Sequence, residues 1–192
     1  MAVEIEMRAR FGKDAHDALV ERLVREGEDL GQDNKLIHFF DLPDKLLKVT
    51  DNQSVGTAKI TLKDSKIGQG AVFSETEFPI AQKDVPAAVQ LFGMLGFEDT
   101  RHEAFNFRRN FRFKDVEIAV KWSEAWGYHA EFEVVLPDAA SDAEKAEAAA
   151  TITDAAAELG VTLMSEEELA AFTAAFEAAE AERKAAQSAE IR

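Results

Sequence analysis

The chain has 192 residues, no cysteine, and 22 Lys plus Arg against 37 Asp plus Glu, a formal net charge of −15. A chain of this length buries enough surface to hold a core without disulfides or structural metal, and the missing thiols exclude zinc–thiolate, iron–sulfur and cysteine-nucleophile chemistry. The negative field disfavours nucleic acid or an anionic membrane as a partner. With no apolar run near the roughly 20 residues of a span and no signal-peptide pattern at Met1 to Glu6, a cytoplasmic location is expected.

Ala2 to Phe11 alternates strictly, with Glu4, Glu6, Arg8 and Arg10 on one face and Val3, Ile5, Met7, Ala9 and Phe11 on the other, which predicts a strand. A helix is expected over about Lys13 to Leu30, on the stripe Ala18, Leu19, Leu23 and Val24. Four strands follow at Lys35 to Asp41, Leu46 to Asp51, Thr57 to Lys63 and Gly70 to Phe78, then a helix over Val85 to Leu95 stopped by Gly96. Phe105 to Phe113 alternates again, with Asn106, Arg108, Asn110 and Arg112 opposing phenylalanines and only Arg109 breaking the apolar side. Val116 to Trp122 and Tyr128 to Leu136 complete a set of eight strands. With no regular β-α-β alternation the sheet should be antiparallel.

Composition changes at Pro137. Residues 138–192 hold 13 acids and 4 bases in an Ala/Glu-rich stretch of high helix propensity. Ser141-Asp142-Ala143-Glu144 starts one helix that Gly160 stops, and Ser165-Glu166-Glu167-Glu168 starts another. The second carries Leu169, Phe172 and Phe176 at helical spacing, a stripe that closes over the first part of the chain or pairs two subunits as a homodimer. Residues Ala178 to Arg192 lose the stripe and should fray. The expected division is therefore residues 1–137, mostly strands, and residues 138–192, helices packed on them.

The unusual feature is that one face of nearly every predicted strand is charged. Either an open sheet leaves these charges in water and buries its other face under helices, or eight strands close into a barrel with the charges lining a wet tunnel. Periodicity alone favours the open sheet. Glu-x-Glu on a strand puts two carboxylates on one face about 7 Å apart, a spacing that suits a shared hard cation such as Mg²⁺ or Mn²⁺. No Walker A or dinucleotide glycine loop, H-E-x-x-H or G-x-S-x-G occurs, and His16, His38, His102 and His129 show no ligand spacing among themselves. Each reads first as a surface or packed residue, and His129, which shares the face of Glu131 and Glu133, is alternatively placed to touch a ligand. Trp122 and Trp126 read as packing residues around a turn.

Taken in order, Val3-Glu4-Ile5-Glu6-Met7-Arg8, His38-Phe39-Phe40-Asp41, Lys59-Ile60-Thr61-Leu62-Lys63, Phe73-Ser74-Glu75-Thr76-Glu77-Phe78, Phe107-Arg108-Arg109-Asn110-Phe111 and Gly127-Tyr128-His129-Ala130-Glu131-Phe132-Glu133 resemble the motifs of the CYTH family, the triphosphate tunnel metalloenzymes that include class IV adenylyl cyclases and thiamine triphosphatases. The resemblance spans about residues 2 to 175. It implies an α+β protein: an eight-stranded antiparallel tunnel barrel with flanking helices and a C-terminal helical extension.

By motif position it implies Glu4, Glu6, Glu131 and Glu133 as ligands of Mg²⁺ or Mn²⁺, with Glu6 and Glu133 also catalytic. Arg8, Lys48, Lys63, Arg108 and Arg112 become phosphate-binding residues, and Glu75 and Glu77 further tunnel carboxylates. The implied function is metal-dependent hydrolysis of a small-molecule triphosphate. The alternatives are a non-catalytic phosphate- or nucleotide-binding protein, another organic phosphate as ligand, and an adenylyl cyclase. The sequence departs from the family pattern at Thr50, Phe73 and Asn106, where basic residues are expected, and at Lys121, where an Asp is expected.

Overall fold

The computed structural model describes residues 2–64 and 72–190. The elements run β1 (Ala2–Arg10), α1 (Lys13–Glu26), β2 (Glu28–Gln32), β3 (Lys35–Asp41), β4 (Leu46–Asn52), β5 (Thr57–Lys63), β6 (Val72–Ile80), α2 (Val85–Phe92), β7 (Arg101–Phe113), β8 (Val116–Ser123), β9 (Gly127–Pro137), α3 (Asp142–Glu158) and α4 (Glu166–Glu190). The expected strand start at Gly70 lies outside the described residues.

Eight antiparallel strands follow one another as β7-β3-β4-β5-β6-β1-β9-β8, and β8 then pairs with β7, so the sheet closes on itself. Closure is possible because β7 is 13 residues long. Its Arg101–Asn106 half pairs with β3 and its Phe107–Phe113 half with β8. This explains why the strand begins at Arg101 rather than at Phe105. The barrel predicted from the family resemblance is therefore present, and the open sheet favoured by periodicity is not.

The short strand β2 lies along the outer half of β7, with Glu28 opposite Arg112 and Gln32 opposite Arg109. This segment was expected to continue the first helix, but α1 ends at Glu26. At Gly27 the chain turns against β7 so closely that a Cβ would lie 2.9 Å from the Arg112 carbonyl oxygen, and a side chain there would have to push the strands apart. Arg109, the residue that broke the apolar face, is held by Asp29 of β2. The second predicted helix is also shorter. α2 stops at Phe92 and passes through a π turn over Gly93–Phe97, in which Gly96 has φ 94°, a left-handed conformation suited to glycine.

The apolar core lies outside the barrel rather than within it. Ile5, Phe111, Ile118 and Phe132 project outward and pack with Leu19 and Leu23 of α1 and Ile152 and Ala155 of α3. A second cluster forms where α2 lays Val85 and Val89 on Phe40, Leu47, Val49 and Ala58. Burying each such aliphatic side chain stabilises by about 1.5 to 3 kcal/mol, so the helices are needed to shield the barrel's outer face. The capping box predicted at Ser141 and Glu144 opens α3, and Gly160 follows its end with φ 70°. α4 continues to Glu190, past Ala178 where fraying was expected, in keeping with its Ala-rich composition. Among the described residues no helix is long and apolar enough to cross a membrane.

Candidate functional site

Strand alternation turns one face of each barrel strand inward. The registers Glu6 to Glu133, Arg8 to Glu131 and Arg10 to His129 align β1 with β9, and β8 adds Glu117 opposite Glu133 and Lys121 opposite His129. On the far side, Lys48 of β4 faces Thr61 of β5, and Lys63 faces Glu75 of β6. The lumen is thus built from charged residues whose outward neighbours form the core, and one alternation explains both.

Two electrostatic neighbourhoods result. In the first, Glu4, Glu6 and Glu133 each offer a carboxylate oxygen, all within 4.8 Å of one another. Lys63 Nζ reaches Glu4 at 3.0 Å, Glu75 at 3.0 Å and Glu6 at 3.8 Å. Although burial opposes it, these carboxylates raise Lys63 above its ordinary pKa. Glu133 has no ion pair among the described residues, and burial together with Glu4, Glu6 and Glu131 pushes its carboxyl up to about 7. Convergent oxygens with unbalanced negative charge are what a hard divalent cation requires, so these residues fit such an ion.

In the second neighbourhood, Glu131 is enclosed by cations. Lys121 bonds one of its oxygens, Arg8 Nε lies 3.2 Å from the other, and Arg108 Nη1 lies 3.9 Å away. Burial alone would raise Glu131, but Lys121, Arg8 and Arg108 hold it well below the usual carboxylate range. Burial lowers Lys121 to about 8, which still leaves the pair ionised at neutral pH. Arg8 also bonds Glu6, and its Nη1 is buried without a partner among the described residues. Burial and Lys121 bring His129 down to about 4, and its Nδ1 is taken up by the Gly127 carbonyl at 2.9 Å.

The remaining predicted residues are spread around this centre. Lys48 makes no ion pair or hydrogen bond among the described residues; burial and Lys63 bring it down to about 8. The Thr61 hydroxyl on the same rung is fully buried and also unpartnered. Glu75 would be raised by burial, but Lys48, a hydrogen bond with Glu77 and Lys63 bring it to about 2, while burial and Glu75 raise Glu77. Arg112 lies at the exposed mouth, 2.9 Å from Glu117 and 3.3 Å from Glu28.

Sequence reading missed Asp33 and Lys35. Asp33 accepts from Asn110 at 2.9 Å and pairs with Lys35 at 2.7 Å and Arg108 at 3.3 Å, which positions Arg108. Little in the sequence pointed to them, because Lys35 opens an apolar strand and Asp33 stands in a short turn.

The opposite mouth is covered by α4. Phe172 meets Trp126 edge-on at 4.8 Å and lies under the Arg10 guanidinium at 4.0 Å, while Phe176 meets His102 at 6.5 Å. The stripe on this helix therefore closes over the barrel. Inside, the space bordered by Arg108, Asn110, Glu117, Glu131 and Glu133 amounts to only about 10 Å³, room for roughly one water. A groove of about 790 Å³ between α2 and β3 lies outside the barrel and is bordered by none of the predicted site residues.

No protein-family model matches the sequence, and no curated protein does. Solved structures do match. The PH1012 protein from Pyrococcus horikoshii superposes with a TM-score of 0.66 at 26% identity, covering 86% of this chain and 93% of its own. A proposed adenylate cyclase from Vibrio parahaemolyticus gives 0.64 at 20% identity, covering 83% and 89%. A protein from Hippeastrum, proposed as an adenylyl cyclase and described as having a dominant triphosphatase activity, gives 0.56 at 16% identity, covering 85% and 90%. With its closed ring of eight strands and charged lumen, this chain has the tunnel fold of the CYTH, or triphosphate tunnel, proteins.

Proposed function

We propose that the protein hydrolyses a triphosphate compound inside its tunnel in a divalent-metal-dependent reaction. The observation that carries this reading is the convergence of Glu4, Glu6 and Glu133 within 4.8 Å, on a lumen whose neighbouring positions are Arg8, Lys63, Lys121 and Arg108. The Hippeastrum neighbour supports it by analogy of fold. Bound at the three carboxylates, Mg²⁺ or Mn²⁺ would polarise phosphoryl oxygens and offset their charge. Arg8, Lys48, Lys63, Arg108 and Arg112 would grip the phosphate chain, because its negative charge must be met by donors once water is excluded.

Glu133, a lumen carboxylate with no ion pair among the described residues, would take the proton from an attacking water. The water oxygen bonds to the terminal phosphorus, the anhydride P–O bond breaks, the diphosphate part of the compound leaves with the electron pair, and the terminal phosphoryl group is released as orthophosphate. Glu6, bonded to Arg8, would hold that guanidinium toward the phosphate.

Because Arg8, Lys63, Arg108 and Lys121 already hold carboxylates and the space beside Glu131 and Glu133 admits about one water, binding there exchanges carboxylates for phosphate oxygens as partners. The same observation favours one rival, a protein that binds a phosphate compound without turning it over. Phosphorus NMR after incubation with tripolyphosphate, thiamine triphosphate and ATP, each with Mg²⁺, Mn²⁺ or EDTA, separates the readings. Metal-dependent phosphate release supports hydrolysis, cyclic nucleotide with pyrophosphate means cyclisation, and line broadening without product means binding alone.

A further inference from the structure

Glu131 shares a face with Glu133 and by motif position belongs with the metal-side carboxylates, yet it is absent from the converging set. Its contacts are with cations: Lys121 bonds it, Arg8 Nε is 3.2 Å away and Arg108 Nη1 is 3.9 Å away. Arg8 also bonds Glu6, and Arg108 also pairs with Asp33 at 3.3 Å, so the three cations are shared among three carboxylates. What marks the place is that their donor capacity is not used up. An ammonium has three N–H donors, of which Lys121 spends one on Glu131, and the Arg8 Nη1 donors are buried with no partner among the described residues. Buried donors without acceptors are costly, and both belong to side chains less than a tenth exposed. The unsatisfied chemistry here calls for an anion, whereas that at Glu133 calls for a cation.

We propose that Lys121 is a resident cation of the tunnel. It holds Glu131 out of the metal set and, with Arg8 and Arg108, forms a seat for a phosphoryl group that needs no metal. The tunnel then takes one divalent ion, at Glu4, Glu6 and Glu133. The space beside Glu131 holds about one water, so seating a phosphoryl group is coupled to movement of Arg108 or its neighbours. The assignment rests on the phosphate reading above but goes beyond it in separating a metal-free anion seat from the metal-dependent step.

Calorimetric titration of the full-length protein with tripolyphosphate in EDTA tests the seat. Wild type should bind, Lys121→Met should weaken binding at least tenfold, and Lys121→Arg should restore it to within about threefold, which also controls for folding. Glu133→Gln, which removes a like charge rather than a donor, should leave binding equal or tighter. Absence of wild-type binding in EDTA, or an unchanged Lys121→Met, overturns the proposal.

Manganese counted by electron paramagnetic resonance tests the other half: one ion in wild type and two in Lys121→Asp, whose new carboxylate would stand on the same lumen face, diagonal to Glu131. Two ions in wild type, or one in a folded Lys121→Asp, also overturns it. If wild type takes no manganese but binds tripolyphosphate in EDTA through Lys121, the metal-dependent hydrolase reading fails while the anion seat stands.

Discussion

Glu131 and Glu133 are two residues apart on one strand, face the same lumen and are both largely withdrawn from water, yet their carboxyls are driven in opposite directions. Glu131 is held well below the ordinary range, and Glu133 is raised to about 7. Burial acts on both in the same sense, so the difference comes from neighbours. One carboxylate looks across at Lys121, Arg8 and Arg108 and the other at Glu4 and Glu6. The lumen is therefore not a uniform polar channel but two adjoining chambers of opposite demand.

The sharpest way to break this contrast is Glu133→Gln. It keeps the shape of the side chain but removes the proton acceptor, so metal-dependent turnover, followed by phosphate release, should fall by roughly 100-fold or more. The same variant tests the electrostatics apart from activity. Because the carboxyl goes from 4.5 in the unfolded chain to about 7 in the fold, the folded state binds the extra proton between these values. Its contribution is intact below about 4.5 and is lost as pH rises to 7, a loss of about 3 kcal/mol in EDTA. Urea denaturation across that window should show wild type losing stability relative to Glu133→Gln; parallel curves would mean that the carboxyl is not raised.

The opposite chamber should respond to Lys121→Met. Removing one of three cations from Glu131 leaves the charge only partly compensated, so stability at neutral pH should fall by about 2 to 4 kcal/mol, read from the same urea curves. A gain in stability would mean that the buried lysine costs more than its pairing returns.

How far these chambers were legible in the sequence depends on which residues carry them. The alternation of β1 and β9 announced Glu4, Glu6, Arg8, Glu131 and Glu133 correctly as sharing a face. Alternation cannot tell inside from outside, however, because a barrel with a charged lumen and an open sheet with a charged surface have the same period. Only the ordered motifs, by resemblance, pointed to closure. β2 was hidden because Glu28–Gln32 has no apolar alternation and continues a helical stretch; contact with β7 at Gly27 decides its conformation. Asp33 and Lys35 were overlooked for a related reason. Asp33 reaches Arg108 across 70-odd residues of chain, a tertiary contact without a local signature, and Lys35 matters through its pair with Asp33. Lys121 was legible as a departure from the family pattern, but its partner was not: the register sets Ala119 opposite Glu131 and Lys121 opposite His129, and Lys121 reaches Glu131 only by a diagonal side-chain contact.

The two mouths of the tunnel extend the comparison to smaller effects. At the covered mouth, Phe172→Ala removes the edge contact with Trp126 and the face beneath Arg10. The loss should be about 1 to 2 kcal/mol, with Trp126 becoming more accessible to acrylamide and its emission moving to longer wavelength.

At the other mouth, Arg112 is 46% exposed between Glu28 and Glu117, where water and salt screen both pairs. Arg112→Ala should leave the melting temperature unchanged within error. Its interest is that stability and ligand effects are expected to separate. If Arg112 grips the outer end of a phosphate chain, KM should rise several-fold with kcat little changed, because an interaction kept alike in ground state and transition state affects only binding. A fall in kcat without a change in KM would instead move Arg112 from the mouth's capture role to the chemical step, and would mean that the phosphate chain is drawn past the Glu117 rim rather than held at it.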